Sequence, residues 1–442
     1  MTNLPKGDKK LLNAWAFYDW ANSVYPLVIT SAIFPIFYEA LFSDRSHYIH
    51  VFVIELKNSA LISFVTAFAF LIVAFCSPLL SGIADYVGNK KSFMKFFCYL
   101  GALSCMGLYW FSLQNIYIGL LFYFLGLIGF WGSLVFYNSY LPDIAHPEQQ
   151  DAVSAKGYSM GYVGSILLLL INLAMVLQPD LFHITGTKGE AAMKAMRYSF
   201  VMVGVWWILF SQYSYYYLPK GNHSNRKVTS AVIYNGFREL KKVWIQLQTK
   251  PILKGYLGSY FVYSMAVQTV MLIATYFGAQ EILWANDSER TMGLIVCILV
   301  IQLVAVVGAQ LTAKASHRFG NLPTLLVINC FWLLLCVMAY FITLPIHFYA
   351  MAGLVGIVMG GIQSLSRSTY SKLLPETEDT ASYFSFFDVA EKVGIVIGMC
   401  VYGIIDQLTG SPRLSIVFLG LFFFVGIILL LRVHKKAQKL TV

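Results

Sequence analysis

Apolar residues run through the chain in blocks long enough to cross a bilayer, with short polar breaks between them. A hydrocarbon slab about 30 Å thick takes roughly 20 helical residues. Windows of that length fall near 13–38, 59–84, 93–112, 116–138, 157–178 and 198–217. They resume near 255–279, 291–313, 322–343, 349–370, 383–406 and 413–433. The pattern predicts an all-α polytopic membrane protein with twelve transmembrane helices. One long polar gap separates two sets of six, so the expected domains are 1–218, a basic linker 219–254, and 255–442. Inside that gap, 231–248 sets Val232, Ile233, Phe237, Leu240, Trp244 and Leu247 against Arg238, Lys241 and Lys242. This predicts an amphipathic helix lying on the membrane surface.

The two sets repeat. Asp85-Tyr86-Val87-Gly88-Asn89 after the second span parallels His317-Arg318-Phe319-Gly320-Asn321 after the eighth, an offset of 232. Leu141-Pro142 after the fourth span parallels Leu374-Pro375 after the tenth, an offset of 233. Two landmarks at nearly one offset predict duplicated halves. Bundles related in this way hold a substrate between the repeats, near the midplane.

Composition agrees with the pattern and excludes some functions. The 442 residues are 58% hydrophobic and 12% charged, with a mean hydropathy of +0.67, against roughly 25% charged residues in soluble domains. The net charge of +10 is explained by topology, not by a nucleic-acid partner. Of 31 Lys and Arg, 23 fall in segments on the N-terminal side of the membrane and seven on the other, with Lys392 inside a span. Positive charge favours the cytoplasmic side, so both termini are expected there. The basic residues 1–11 precede an apolar run too long for a cleaved signal core, which predicts a retained N-terminus. Cys76, Cys98, Cys105, Cys297, Cys330, Cys336 and Cys400 all sit in apolar segments without a CxxC pair, so they read as small hydrophobes. His47 and His50 form an isolated HxxH, and no metal site is expected. Asn286-Asp287-Ser288 is a glycosylation sequon only in a secretory-pathway host.

Ionisable groups inside spans are costly and mark function. Asp19 lies within the first apolar run, and Asn22, Ser23, Pro26 and Thr30 share its helical face. In the eleventh span Asp388, Glu391 and Lys392 stand three and four residues apart, so Asp388 can meet Lys392 one turn on. The trio is either a neutralised structural pair or a switch in which protonating a carboxylate frees Lys392. The loop 81–91 joins Asp85, Gly88, Lys90 and Lys91 in a tight turn suited to gating. No phosphate-binding loop is present, so an ion gradient is the expected energy source. A membrane enzyme would need a nucleophile–base pair or clustered acids and histidines, and the sequence shows none.

The 81–91 loop resembles the major facilitator motif G-x-L-A-D-R-x-G-R-K, with Ser81 in place of its first glycine and Tyr86 in place of its arginine. Its second copy has His317 in the acid's place. Gly360-Gly361-Ile362-Gln363-Ser364-Leu365-Ser366-Arg367-Ser368, with Leu374-Pro375-Glu376, resembles a stretch of the vacuole-effluxer-like branch. So do Phe17 to Tyr25, Tyr137-Asn138 with Leu141-Pro142, and Ser154-Ala155-x-Gly157 with Gly161-Tyr162-Val163-Gly164. Met265-Ala266 depart from it, where the branch often has an acidic Asp-Gly; Glu391 departs too, where a small residue is usual.

The resemblance implies two pseudo-symmetric six-helix bundles working by alternating access, with Asp85 latched against the start of the eleventh span. It also implies a cavity lined by spans 1, 4, 7 and 10. The candidates there are Asp19, Asn22, Tyr25, Trp131, Asn138, Tyr260, Tyr263, Ser264, Gln268, Gln363 and Arg367, with packing or interfacial anchoring as the alternative role of each tyrosine. Arg367, near the inner end of its span, suits a gate or lipid contact as well as a substrate. The expected activity is secondary transport of a small polar solute, an amino acid or related compound, coupled to protons through Asp19 or the Asp388–Glu391–Lys392 cluster. A lipid flippase on the same scaffold and a non-transporting receptor are the rivals. No cofactor is expected. The expected partners are the solute, protons and membrane lipids, with the chain a monomer in a bacterial inner membrane.

Overall fold

The computed structural model describes residues 4–42, 48–51, 54–220 and 232–441. His47 lies outside them, as do Arg226 and Lys227 of the linker. The first span is α1 (Lys9–Asn22), a π-helical segment Tyr25–Ala32 and α2 (Ile33–Ala40) in series. Pro26 carries no amide hydrogen and sits at the start of the π segment, where the ordinary helical ladder is already broken. A short antiparallel hairpin, β1 (Tyr48–Val51) and β2 (Ile54–Lys57), leads into α3 (Asn58–Val87). The apolar pattern did not signal this pair of four-residue strands.

The remaining elements of the first half are α4 (Lys90–Gly107), α5 (Ile116–Ser139), the short α6 (Leu141–Ile144), α7 (Pro147–Leu177) and α8 (Lys188–Tyr217). Then come α9 (Val232–Thr249), α10 (Pro251–Glu281), α11 (Asp287–Phe319), α12 (Asn321–Ala339), α13 (Pro345–Leu373), α14 (Thr380–Thr409) and α15 (Pro412–Thr441). The result is an all-α, twelve-span bundle, with α9 as an extra helix. Among the described residues, nine helical stretches are apolar enough to be recognised as spans by length and composition alone. The other three, α4, α8 and α14, carry Lys90, Lys91 and Lys95; Lys188, Glu190, Lys194 and Arg197; and Asp388, Glu391 and Lys392. They cross because their charged groups find protein partners or sit at the helix ends.

Two buried clusters form the core. One gathers Leu11 through Leu218 together with Ala381. The other gathers Val243 through Val433 together with Tyr162. Aromatic packing dominates the first, including Trp15 stacked on Tyr137 at 4.6 Å and Phe34 on Tyr123 at 4.5 Å. Both repeat landmarks turn at a glycine of positive φ, +69° at Gly88 and +87° at Gly320. Both lie in the left-handed region that a side chain disfavours, and each ends one helix and opens the next.

Candidate functional site

Small residues on α7 decide how near the first span can come. A Cβ at Gly157 would overlap Asp19 Oδ2, and one at Gly161 would overlap Ser23 Oγ. At Gly164 it would lie 2.9 Å from the Trp20 ring. The stripe lets α1 lie directly on α7, which presents Asp19 to α13. There Arg367, 2% exposed, places both Nη1 and Nη2 3.3 Å from Asp19 Oδ2. Tyr137 donates its hydroxyl to the same oxygen at 2.8 Å. Arg367 also donates from Nη1 to Asn138 Oδ1 at 3.3 Å, from Nε to Ser154 Oγ at 2.9 Å and from Nη2 to the Ser154 carbonyl at 3.0 Å. Its guanidinium lies over Tyr158 at 4.2 Å and Trp15 at 4.7 Å. A charge taken out of water thus receives a counter-ion, directed acceptors and aromatic faces together.

Asp388, Glu391 and Lys392 form a second centre on α14. Lys392 Nζ is 2.9 Å from Asp388 Oδ1 and 3.2 Å from Glu391 Oε2, and it lies 3.6 Å from the centre of the Trp131 ring. Ser77 of α3 donates to Asp388 Oδ2 at 3.3 Å, and Gln268 of α10 donates to Glu391. Two carboxylates share one ammonium. Lys392 stands twelve residues into α14, about 18 Å from its start, whereas Arg367 is six residues from the end of α13, about 9 Å. The α14 cluster is therefore the deeper of the two centres.

Asp19, Asn138 and Arg367 thus come together, and so do Trp131, Gln268, Asp388, Glu391 and Lys392. Gln363 accepts from Tyr162 at 2.6 Å, joining α13 to α7. Among the described residues, the other candidates make no hydrogen bond or ion pair to either centre. Tyr25 stacks on Phe130 at 5.0 Å within the first core, and its hydroxyl finds no partner among the described residues. Asn22 is buried, with Ser23 Oγ donating to its Oδ1 at 3.4 Å. Tyr260 stacks on Phe387 at 3.9 Å, Tyr263 bonds Ser366 at 2.7 Å, and Ser264 donates to the Phe261 carbonyl of its own helix.

A dense set of polar contacts joins the halves at the end of the molecule that carries both termini. Asp85 accepts from the backbone amides of Ala381 at 3.3 Å and Ser382 at 2.7 Å, capping the start of α14. Of the expected gating loop 81–91 only Gly88 and Asn89 lie outside a helix; Lys90 and Lys91 open α4 and are buried. Lys90 bridges Asp143 and Thr380, and Lys91 donates to the Leu218 carbonyl at 2.6 Å. In the second copy of the turn His317 is exposed, and the acid comes instead from α7. Asp151 accepts from Ser316 at 3.1 Å and Asn321 at 2.9 Å, and pairs with Lys372. Asp143, Asp151 and Lys372 were missed because acids and bases beside a short loop read as solvated. Ser77, Trp15 and Tyr158 carry no sequence signal beyond their apolar surroundings.

This fold, with two buried charge centres between its halves, defines a multi-pass membrane transporter of the MFS type. Its structural neighbours are transporters, not enzymes. The FucP transporter in its outward conformation superposes with a TM-score of 0.68 over 96% of this chain and 98% of its own, at 15% identity. The human organic anion transporter MFSD10 matches at 0.64 over 96% and 99%, at 12% identity. In sequence, the uncharacterized MFS-type transporter YxiO of Bacillus subtilis (strain 168) is 30% identical over 432 residues, 96% of this chain and 95% of its own. Autophagy-related protein 22-2 of Aspergillus oryzae is 22% identical over 85% of this chain and 74% of its own. Residues 7–441 match the "Vacuole effluxer Atg22 like" model, and the chain belongs to that family.

Proposed function

We propose that the chain carries a small polar solute, an amino acid or a related compound, by alternating access, with Glu391 coupling the movement to protons. The observation that carries this reading is the charge balance of the buried centres. Asp19 and Arg367 neutralise one another. Asp388, Glu391 and Lys392 leave one negative charge over when all three are ionised. An unbalanced charge at membrane depth costs about 2.5–3.5 kcal/mol even on insertion scales, so the cluster favours taking up a proton or the ammonium of a solute. Glu391 is its more exposed carboxylate, at 15% against 8% for Asp388. Trp131 and Ser77 reach the cluster from the first half and Gln268 from the second, so a change in its charge acts on the contact between them.

The moving bodies in this reading are 1–218 and 255–442, joined by 219–254, with the termini in the cytoplasm of a bacterial cell as the distribution of Lys and Arg favours. Asp19, Asn138 and Arg367 act as a gate below the solute, and Trp131, Gln268 and Glu391 meet it. The test is uptake of amino acids and dipeptides into proteoliposomes with and without an imposed proton gradient. The gradient should stimulate uptake by the native chain, while Glu391→Gln should keep counterflow exchange and lose the stimulation. Failure to take up any of the panel would remove the substrate class. Gradient-stimulated uptake by Glu391→Gln would remove the coupling role.

A further inference from the structure

The helix between the halves, α9, is docked on one side and exposed on another. Val243 and Leu247 are buried against the second core. Gly236 packs against the end of α3, where a Cβ at Gly82 would strike its carbonyl. Tyr383 donates to Gln246 at 2.9 Å, and Lys242 pairs with Asp379 at 2.7 Å. The Asp379 carboxylate bonded to it holds the Lys242 ammonium above lysine's ordinary pKa, so this tie stays charged. Trp244 packs on Phe386 with centroids 5.7 Å apart. Phe386 lies six residues into α14 and Gly82 five before the end of α3. These contacts set α9 level with the last turns of the spans, at the depth of lipid headgroups.

Its outer face mixes large apolar groups with cations. Tyr234, Phe237, Trp244 and Ile245 are 50–68% exposed, and at 100° per residue Arg238 and Lys241 fall among them. Exposed apolar residues on the spans, such as Phe64 and Phe75, have no such interleaved charge. Among the described residues Glu239 is the acid on this helix, and it pairs with Lys242, leaving Arg238 and Lys241 without an acidic partner. Aromatic rings that insert at the acyl boundary, beside cations at headgroup height, match the chemistry of an anionic phospholipid.

We propose that the outer face of α9 binds anionic phospholipid headgroups through Arg238 and Lys241, with Phe237 and Trp244 seated in the acyl boundary. Because α9 is tied to α14 beside the amides that Asp85 caps, lipid bound there braces the closed end of the molecule. The proposal stands apart from the transported solute and is read without a transport assay. The full-length protein is placed, one copy per disc, in nanodiscs of phosphatidylcholine alone or mixed with phosphatidylglycerol. Backbone hydrogen exchange is then followed across α9. Phosphatidylglycerol should slow exchange in α9, and the Arg238→Gln/Lys241→Gln variant should lose that difference while matching the native chain in phosphatidylcholine. Each charge is expected to be worth about fivefold in lipid affinity, hence roughly thirtyfold for the pair. Equal exchange in the two lipids, or a lipid difference that survives the double substitution, overturns the proposal. Protection that arises only with two copies per disc would assign the face to a second copy of the chain and overturn it as well.

Discussion

Arg367 shows how a single cation is held inside the membrane span. It meets one carboxylate from α1, an amide from α5, a hydroxyl and a carbonyl from α7, and the rings of Trp15 and Tyr158. Removing one member of a buried pair strands the other, at a cost of about 3–5 kcal/mol, whereas removing both leaves no bare charge. Asp19→Asn and Arg367→Gln should each lower the thermal unfolding temperature in detergent more than the double substitution does. A double variant no more stable than the worse single would show that the two charges do not compensate one another. Both residues were legible in the sequence as polar groups in apolar runs. Their pairing was not, because periodicity gives the face of a helix and says nothing of which distant helix covers it; 348 positions separate them.

At the scale of elements, the α3–α4 turn and the start of α14 work as one unit. A helix N-terminus exposes unpaired amides and a partial positive charge, and Asp85 answers both at Ala381 and Ser382. Hydrogen bonds to a charged group contribute about 1.5–3 kcal/mol. Asp85→Ala should therefore speed hydrogen exchange at the amides of Ala381 and Ser382 by roughly tenfold or more, with α12 unaffected as an internal reference. Unchanged exchange at those two amides would mean that the cap carries no energy. The turn itself was readable from Asp85 and Gly88. The matching contact in the other half was not, because its acid has moved from the turn to Asp151 on α7 while Ser316, Asn321 and Lys372 supply the donors. The polarity of the contact is reversed while its position is kept, and the exposed His317 stands where the first turn has its acid.

For the whole molecule, these two contacts bear on the same motion. Twelve spans, two halves and the amphipathic α9 followed from apolar run lengths and from two landmarks at one offset, since crossing a bilayer constrains composition so tightly. Which end is closed did not follow, because it depends on side chains from opposite halves meeting. Asp85 with α14, Asp151 with Lys372, Lys90 with Thr380 and Asp19 with Arg367 all tie the halves toward the terminus-bearing end. If the halves move as bodies, opening that end must break these ties together, and weakening two of them should populate the opened state. Spin labels at Glu148→Cys of α7 and Lys314→Cys of α11, both exposed positions, in a background without the native cysteines, read the separation directly. The Asp85→Ala/Asp151→Ala variant should lengthen the measured distance, or add a longer population, relative to the native ties. A distribution identical in both backgrounds would mean that the closed end is held by packing alone, and that the polar contacts follow the motion without setting it.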